Sequence, residues 1–387
     1  MSTLPTRVAI LSSVHLALDN RVFYREARTL AGAGYDVTLI AVHERDEERD
    51  GIHIRALPRV ARSRRPLLWR ALARLAVASG ADVFHIHDPE LLLVTPYLRR
   101  ATGRPTIYDI HEANADFIAV KDYLPAPIRH PLSAAFRVLE PRLVAGESGL
   151  IFADDAIAAD FAAYTGPKTT LFNFPGEDLI RRGAQSDHSG ERAPVILYLG
   201  GLERNRGADL MVEAFAQVAA KMPAARLLIV GHFMPPELED EVRAAAAARG
   251  VGQAVEVTGR VPFAAIGEYL QRAAVGWVPW QPVAKNRKNI PTKLFEYMAF
   301  GLPVVSSDLP STRPFVTHGD NGLLAAAANP AAHAAALLAL LMDAPAAARM
   351  GESGRQLVAT RFNWTAMEGR LLGLYEAVLR GAQAERK

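Results

Sequence analysis

The feature that most constrains the fold of this 387-residue chain is an alternation of short apolar runs with helical patterns, which occurs twice. The first series includes RVAILSS, DVTLIAV, IHIRAL, DVFHIHD, PTIYDIHE and SGLIFAD, and the second includes VILYLGG, ARLLIVG, AVEVTG and VGWVPW. Apolar runs of this length, separated by helical patterns, predict parallel β-strands joined by crossover helices. Helices then cover both faces of each sheet. The pattern therefore predicts an α/β protein with two doubly wound domains in series.

A polar segment separates the two series. Residues 176–194 are charged and contain glycine and proline, a composition typical of a linker. We therefore predict an N-terminal domain over residues 1–180 and a C-terminal domain over residues 190–365. Ligands of doubly wound domains bind outside the carboxyl ends of the strands, so the cleft between the two domains is the expected site.

Composition excludes several classes of protein. The chain has no cysteine, which excludes disulfides, thiolate nucleophiles and cysteine-ligated zinc. A formal net charge of +3 is too small to indicate a general nucleic-acid binder. No apolar stretch reaches the roughly 18 residues that a membrane span needs, and the N-terminus lacks a signal-peptide pattern. We expect a cytoplasmic protein that binds no nucleic acid.

A lone carboxylate, Glu296, stands in the stretch PTKLFEYMAFGLPVVSSD. Pro291 and Gly301 delimit a predicted helix that has Lys293 and Glu296 on one face and Leu294 on the opposite, apolar face. One interpretation is an exposed i,i+3 ion pair. The other is a ligand site, because helix starts attract phosphate and a carboxylate can accept hydrogen bonds from two adjacent ribose hydroxyls. The residues alone leave both open.

A glycine pair and two arginines form a second candidate, in the segment LYLGGLERNRG. Gly200 and Gly201 follow a predicted strand and would let the backbone approach a ligand closely. Arg204 and Arg206 could bind a diphosphate through their planar guanidinium groups. The alternative is a glycine turn with solvated arginines, since the GxGxxG spacing is missing.

Two neighbouring strands end in polar side chains, in the segments HIHDPE and YDIHE. Parallel pairing would bring His85 and its neighbours close to Asp109 and His111. Histidine and aspartate can bind metals, but the spacing matches no familiar metal motif, so we predict no metal. We expect a polar active-site wall, with His111 forming hydrogen bonds or handling a proton. A purely structural histidine is the alternative.

Residues 55–75 contain seven arginines and no acidic residue, with leucines and Trp69 between them. The stretch is either a solvated basic helix face or a patch for an anionic membrane surface or an anionic acceptor. The residues assigned to this acceptor or lipid side are Arg21, Arg62, Arg64, Arg65 and Trp69.

Taken together, these segments resemble the retaining glycosyltransferases of family 4. The resemblance covers nearly the whole chain and includes NRVFYREARTLAGAGYDVTLIA, DVFHIHDPELLLVTPYLRRATGRPTIYDIHE, LYLGGLERNRGADLMVEAF and PTKLFEYMAFGLPVVSSD. It implies the GT-B fold, with two Rossmann-like domains facing a central cleft, and a C-terminal helix over residues 366–387 that crosses back to the first domain. The implied activity is transfer of a sugar, with retention of configuration, from a nucleoside diphosphate sugar to a glycan, lipid-linked or small-molecule acceptor.

The resemblance also implies roles for single residues. Glu296 resembles the second glutamate of the family's E-x7-E motif, which holds the donor ribose, while Lys288 stands in place of the first. His111 resembles the histidine near the transferred sugar. The donor site implied in this way contains Gly200, Gly201, Arg204, Arg206, Arg260, Lys293, Leu294 and Glu296.

No cofactor or metal is expected, because cationic side chains can stabilise the leaving diphosphate. The expected partners are the nucleotide-sugar donor and an unidentified acceptor, with peripheral contact to the anionic inner membrane surface as a further expectation. A sugar-nucleotide epimerase of the same architecture remains an alternative. A non-catalytic nucleotide-sugar-binding subunit is another, which Lys288 keeps open. A dinucleotide oxidoreductase is disfavoured, because GxGxxG does not follow the first predicted strand.

Overall fold

The computed structural model of the chain describes residues 4–121, 124–186 and 192–384. The chain divides into two compact units. Unit 1 extends to Asn173 and includes the chain from Trp364 onward, and unit 2 comprises Phe174–Asn363. Each unit has one mainly parallel sheet, so the predicted α/β class with two doubly wound sheets is confirmed.

Unit 1 has an eight-stranded sheet with the order β3-β4-β2-β1-β5-β6-β7-β8. Only the β3–β4 pair is antiparallel. Strands β1, β5 and β6 lie in its centre; β5 and β6 are wholly buried and β1 is buried over residues 8–13, as expected for strands covered on both faces. The strands are β1 Arg7–Leu16, β2 Asp36–Val42, β3 Glu47–Arg49, β4 Ile52–Leu57, β5 Val83–Ile86, β6 Thr106–Ile110, β7 Gly149–Phe152 and β8 Lys168–Thr170.

The helices of unit 1 cover both faces of this sheet. The first predicted helix begins as a π-helical segment, Val22–Ala27, and ends where Gly34 adopts a left-handed conformation with φ of 89°. A core of buried side chains that includes Leu72, Phe84 and Tyr108 fills one face. The α-helices are α1 Arg28–Gly32, α2 Arg65–Ala78, α3 Thr95–Thr102, α4 Asn114–Ala119, α5 Ala126–Val144, α6 Asp155–Ala158 and, from the C-terminal segment, α15 Thr365–Ala384.

Unit 2 has a six-stranded, fully parallel sheet with the order β11-β10-β9-β12-β13-β14. Its central strand β9 and the neighbouring β12 are buried, and Trp277 of β12 lies in the core with Phe215 and Leu337. The strands are β9 Val195–Leu199, β10 Arg226–Val230, β11 Val255–Gly259, β12 Val275–Val278, β13 Val304–Ser307 and β14 Gly322–Ala325.

The alanine-rich residues 330–348 are helical except for Asp343. Asn329 caps their first helix by accepting a hydrogen bond from the Ala332 amide at 3.2 Å, and Asp343 caps the next in the same way at 2.9 Å. The helices of unit 2 are α7 Glu177–Ala184, α8 Ala208–Lys221, α9 Leu238–Ala248, α10 Ile266–Arg272, α11 Ala284–Lys288, α12 Lys293–Ala299, α13 Pro330–Met342 and α14 Ala344–Thr360.

The predicted linker is partly wrong. Residues Glu177–Ala184 form the helix α7, which belongs to unit 2, because Leu179 is buried and Gly183 lies against the backbone of Ala299. Residues 187–191 of the same stretch fall outside the described ranges.

Among the described residues, no single helix is long and apolar enough to cross a membrane. The bent pair Pro330–Met342 with Ala344–Ala384 meets the length and composition requirements only when the two helices are taken together.

Candidate functional site

The polar ends of β5 and β6 meet at the carboxyl edge of the unit 1 sheet, as predicted. The two strands pair in parallel, with His85 opposite Ile107. Beyond the pairing, His87 Nδ1 lies 2.9 Å from His111 Nε2 and 3.3 Å from Asp109 Oδ2. His111 Nε2 also lies 3.1 Å from Asp109 Oδ2, and the ring of His111 is partly exposed. The predicted polar wall therefore exists.

Arg21 corrects one of the sequence predictions. We expected it on the acceptor side, but its side chain is buried and 4% exposed. Its Nε and second terminal nitrogen donate to both oxygens of Asp109 at 2.7 and 2.9 Å. The remaining terminal nitrogen donates to the Leu171 carbonyl at 2.8 Å and to Asn173 Oδ1 at 2.9 Å. With these hydrogen bonds made inside unit 1, Arg21 is a structural ion-pair partner, and the acceptor-side prediction is wrong for it.

A second carboxylate, Glu26, is buried beside this ion pair. Its Oε1 lies 2.9 Å from Arg21 Nε, and its Oε2 lies 3.7 Å from Nε2 of both His85 and His87. Burial, together with repulsion from Asp109, raises the pKa of Glu26 well above its ordinary value. Burial opposes ionisation of Asp109 too, but attraction to Arg21 and His111 outweighs it and holds the pKa of Asp109 well below its ordinary value. Burial lowers the pKa of His87 to about 4, so this histidine stays neutral at pH 7.

Four of these residues have the composition of a metal site. Ligand atoms of Glu26, His85, His87 and Asp109 lie within 4.8 Å of one another. However, the Arg21 guanidinium is already within 2.9 Å of both carboxylates and supplies the positive charge between them. A metal ion bound there would face this buried cation at short range, which costs free energy in a low-dielectric interior. The donor set therefore does not fit a metal ion, and we interpret it as an ion-pair and hydrogen-bond network.

Sequence reasoning missed His15, which lies beside His111 at the end of β1. The two ring centroids are 4.9 Å apart. His15 Nδ1 lies 3.7 Å from Asp19 Oδ2, and its Nε2 lies 3.6 Å from Asp88 Oδ1. Burial lowers the pKa of His15, but attraction to Asp19 and Asp88 outweighs this and raises it above 6.5. The segment SSVHLALDNR, which puts a histidine shortly after the first apolar run, was the signal that could have indicated this residue.

The carboxyl-terminal part of β1, just before His15, is held by Asp88. Oδ2 of Asp88 accepts hydrogen bonds from the Ser12 hydroxyl at 2.9 Å, the Ser13 amide at 2.6 Å and the Val14 amide at 3.2 Å. Amides that a glycine-rich turn could direct at a ligand are therefore occupied by a carboxylate of the protein itself.

In unit 2, the surroundings of Lys293 decide between two interpretations of this residue. One of the two interpretations left open by the sequence put this side chain on an exposed helix face, yet it is only 6% exposed. Its Nζ lies 3.7 Å from the ring centroid of Tyr198, a cation–π contact, and forms no hydrogen bond with the described residues. Burial and repulsion from Arg206 lower the pKa of Lys293 well below 10.5, although Glu296 and Glu203 counteract this. The exposed ion-pair interpretation is therefore wrong for Lys293.

The glycine pair adjoins this lysine. Gly200 has a φ of 101°, a conformation that favours glycine, and a Cβ placed there would lie 3.7 Å from Lys293 Nζ. Next to it, the Gly201 carbonyl accepts hydrogen bonds from the Tyr198 hydroxyl at 2.8 Å and from Arg206 at 3.0 Å. Arg206 also lies 5.8 Å from the ring of Trp280. Two cations, Arg206 and Lys293, thus converge on a glycine turn at the end of β9.

The other predicted donor residues differ in their surroundings. Arg204 is half exposed and pairs with Asp209 and Glu241 on α8 and α9. Leu294 is completely buried, and its side chain packs in the core. Burial lowers the pKa of His232, and repulsion from Arg260 and Arg206 lowers it further. His232 therefore lies near the two arginines. Glu296 is partly buried on α12 and exerts an attraction on Lys293.

The basic stretch forms part of β4, a 3-10 turn over Arg62–Arg64 and the helix α2. Arg62 and Arg64 are exposed, Arg65 lies 3.8 Å from Glu90, and Trp69 packs partly against the core. Leu67 is 76% exposed between the arginines. The surface is therefore mixed, with arginines and one prominent apolar side chain.

Two family models match the chain. The description "Glycosyl transferase 4-like domain" matches residues 20–174, and "Glycosyl transferases group 1" matches residues 193–343. The two ranges together cover about four-fifths of the chain. The two parallel-sheet units have the GT-B class of fold, which solved glycosyltransferases share. With these matches, the chain belongs to family 4 of the glycosyltransferases, and it is a glycosyltransferase.

Relatives and solved structures agree with this assignment. The D-inositol 3-phosphate glycosyltransferase 1 of Catenulispora acidiphila is 26% identical over 351 residues, which is 85% of this chain and 78% of the relative. The phosphatidyl-myo-inositol mannosyltransferase of Mycobacterium leprae is 24% identical over 81% of this chain and 78% of its own length.

The fold is shared with sucrose-phosphate synthase from Thermosynechococcus elongatus, with a TM-score of 0.77, 19% identity, and coverage of 97% and 100% of the two chains. It is also shared with Anabaena Alr3699/HepE in complex with UDP and glucose, with a TM-score of 0.74, 14% identity, and coverage of 96% and 100%.

Proposed function

We propose that this protein transfers a sugar from a uridine diphosphate sugar to a hydroxyl group of an acceptor, with retention of the anomeric configuration. The observation that carries the proposal is Lys293, a buried ammonium group without a hydrogen-bond partner among the described residues. A buried cation is costly unless an anion accompanies it. The diphosphate of a nucleotide sugar supplies such an anion, and Arg206 adds a second positive charge nearby.

In this proposal unit 2 holds the donor. Lys293 and Arg206 bind the diphosphate and stabilise the charge that develops on it as the glycosidic bond breaks. Glu296 accepts hydrogen bonds from the ribose hydroxyls, and the region of Arg260 lines the base. Uridine is chosen because Alr3699/HepE, which shares the fold, is described in complex with UDP-glucose. Since two side chains supply the positive charge, we propose that transfer needs no metal ion.

In unit 1, His111 is proposed to face the transferred sugar. Its Nε2 is engaged by Asp109 and His87, so the opposite side of the ring is the one available to a substrate. We propose that attack occurs on the same face as departure. Retention then requires no covalent intermediate on an enzyme carboxylate.

The acceptor is proposed to carry a hydroxyl group near a phosphate. Two relatives are named for D-inositol 3-phosphate and for phosphatidyl-myo-inositol, which share a phosphorylated inositol. The arginines of the basic stretch would favour such an anion, and with Leu67 exposed among them they also suit an anionic bilayer. We therefore propose peripheral contact of α2 and the preceding 3-10 turn with anionic membranes.

A panel of UDP-, GDP- and TDP-sugars, with the free diphosphates, tests the donor proposal. Binding should raise the melting temperature, and we expect UDP and one UDP-sugar to give the largest shifts. The same measurements with EDTA and with added Mg²⁺ should agree within error. Stabilisation by GDP or TDP alone would contradict the uridine assignment, and a strict requirement for Mg²⁺ would contradict metal independence.

Flotation with vesicles containing anionic lipid tests the membrane proposal. Replacing Arg62, Arg64 and Arg65 with serine should abolish most binding, since each basic residue at an anionic surface contributes about 1 kcal/mol. A matched control removes three exposed arginines of unit 2, Arg243, Arg249 and Arg272, and should bind like the wild type. Equal loss in both variants would indicate a net-charge effect instead of a binding surface.

A further inference from the structure

Asp109 is buried, ionised and fixed, and it touches the candidate catalytic histidine. Two nitrogens of Arg21 donate to its two oxygens at 2.7 and 2.9 Å, so the carboxylate cannot rotate without breaking a bidentate ion pair. Its Oδ2 then faces His111 Nε2 at 3.1 Å.

Three polar atoms meet at this point, namely Asp109 Oδ2, His87 Nδ1 and His111 Nε2. Oδ2 already accepts a hydrogen bond from Arg21 Nε, and an ionised carboxylate oxygen can accept a second one, which either histidine nitrogen could donate. His111 Nε2 is the closer of the two, at 3.1 Å against 3.3 Å for His87 Nδ1. A proton on His111 Nε2 also reaches His87 Nδ1, which lies 2.9 Å away and would then accept.

The far side of His87 is consistent with this assignment. Burial lowers the pKa of His87 to about 4, so the neutral ring has one proton. With Nδ1 accepting from His111, that proton is on Nε2, which faces Glu26 Oε2 at 3.7 Å. In this arrangement His111 Nε2 donates to Asp109 Oδ2 and His87 Nδ1, and the proton on His87 Nε2 is directed to Glu26 Oε2.

We propose that Asp109 is a positioning residue, which holds His111 in the tautomer with the proton on Nε2 and the unprotonated Nδ1 directed to the substrate. His111 then acts as a hydrogen-bond acceptor, and the group that it recognises is a hydroxyl of the sugar or of the acceptor. Arg21 keeps Asp109 ionised and oriented, which gives this buried arginine a role at the site. The inference rests on the proposed function, in which His111 faces the transferred sugar.

The tautomer can be measured directly in the full-length protein. Two-bond proton–nitrogen correlation spectra of protein labelled with ¹⁵N-histidine, at about pH 8 where an ordinary histidine is neutral, distinguish Nδ1–H from Nε2–H. The His111 signals are assigned by their loss in His111→Gln. We expect the protonated nitrogen of His111 to be Nε2. A proton on Nδ1 in the wild type would overturn the proposal, whatever the variants do.

The variant Asp109→Asn tests whether the carboxylate sets the tautomer. Arg21 would retain the amide oxygen, leaving the amide NH₂ group to donate to His111 Nε2 and move the histidine proton to Nδ1, as an aspartate-to-asparagine change does in a serine protease triad. The control Tyr108→Phe removes the hydrogen bond between Tyr108 and Glu140 from the preceding position of the same strand and should retain the wild-type tautomer. A folded Asp109→Asn protein with the Nε2–H tautomer would contradict the positioning role.

The experiment also separates this inference from the proposed function. UDP binding, measured by calorimetry, should be unchanged within about twofold in Asp109→Asn, because the donor is assigned to unit 2. If the Nε2–H tautomer is found but His111→Ala turns over normally, the orientation is supported and the proposed role of His111 is wrong. If His111→Ala loses activity but the proton is on Nδ1, the proposed role stands and the positioning by Asp109 is wrong.

Discussion

The two units treat buried charge in opposite ways at the carboxyl ends of their strands. In unit 1, the Arg21 guanidinium is held by Asp109, Glu26 and two groups near the end of β8. In unit 2, the Lys293 ammonium is about as deeply buried, but it forms no hydrogen bond with the described residues and lies against aromatic rings and near a second cation, Arg206, with attraction from Glu296 and Glu203. A saturated cation can only orient its neighbours, whereas an unsaturated one can gain free energy by binding an anion. The comparison therefore assigns orientation to the first edge and anion binding to the second.

Removing the unsaturated cation should have the largest effect. We expect Lys293→Met to lower sugar transfer by about 10²–10³-fold, the usual effect of losing one group that stabilises charge in a transition state. The same change should raise the free energy of unfolding by about 1–2 kcal/mol, because methionine fills the space without a buried charge. Enzyme kinetics measure the expected loss of activity, and denaturant unfolding measures the expected gain in stability. Loss of both activity and stability would contradict the anion-binding assignment.

The pH dependence of that stability gives an independent control. Because burial lowers the pKa of Lys293 below 10.5, the unfolded chain binds more protons than the folded chain between the two pKa values. The lysine's unfavourable contribution therefore shrinks as the pH rises through the folded pKa towards 10.5. The stability difference between Lys293→Met and wild type should decrease over the same range.

The variant His111→Ala probes the edge where charges are saturated. Turnover should fall by about 100-fold, because hydrogen bonds to the transferred sugar count mainly in the transition state. UDP affinity should stay within about twofold of wild type. His53→Ala, an exposed histidine on β4, is the control. Normal turnover of His111→Ala at a wild-type melting temperature would make the histidine structural.

Much of the fold could be predicted because the period and the length of each apolar run determine whether that segment forms a strand or a helix. Strands β1, β2, β5 and β6 and the helices α8 and α9 lie where the pattern places them. The helix α7 was missed because four of its eight residues are charged and its Gly183 packs against the distant Ala299 backbone. The short edge strand β8 was missed as well, since three residues give no period to recognise.

The site was predictable in residue type but not in pairing. That histidines and aspartates gather at β5 and β6 follows from parallel pairing, which sequence reveals. That Arg21 serves Asp109, 88 residues away, and that Lys293 lies under the ring of Tyr198 depend on tertiary packing. The pattern of α12 even indicates an exposed face for Lys293, because helical period describes one helix and not the loop packed against it.

A smaller effect is expected for Glu296→Gln. The change keeps the size of the side chain but loses charge-assisted hydrogen bonds to the ribose, at about 1.5–3 kcal/mol. UDP should bind roughly 10- to 100-fold more weakly in calorimetry. The control Glu268→Gln, which neutralises an exposed carboxylate on α10, should leave UDP binding unchanged. Wild-type affinity in Glu296→Gln would mean that this carboxylate does not hold the ribose.

The smallest effect is expected for Arg204→Ala, which sharpens the same comparison within unit 2. Arg204 is half exposed and pairs with Asp209 and Glu241, so it resembles the saturated cation of unit 1, whereas Arg206 adjoins Lys293. An exposed ion pair contributes about 0–1 kcal/mol to stability. The free energy of unfolding should therefore change by less than about 0.5 kcal/mol, and the UDP affinity by less than about twofold.

The matched variant Arg206→Ala should weaken UDP binding by about tenfold or more, since it removes a charge-assisted hydrogen bond to phosphate. Each variant loses one positive charge, so calorimetry on the two shows whether Arg206 contributes more to UDP binding than Arg204 does. If Arg204→Ala weakens UDP binding as much as Arg206→Ala, then Arg204 exchanges Asp209 and Glu241 for the diphosphate when the donor binds. A cation that is saturated without the donor would in that case still bind an anion, and saturation would no longer distinguish the two edges.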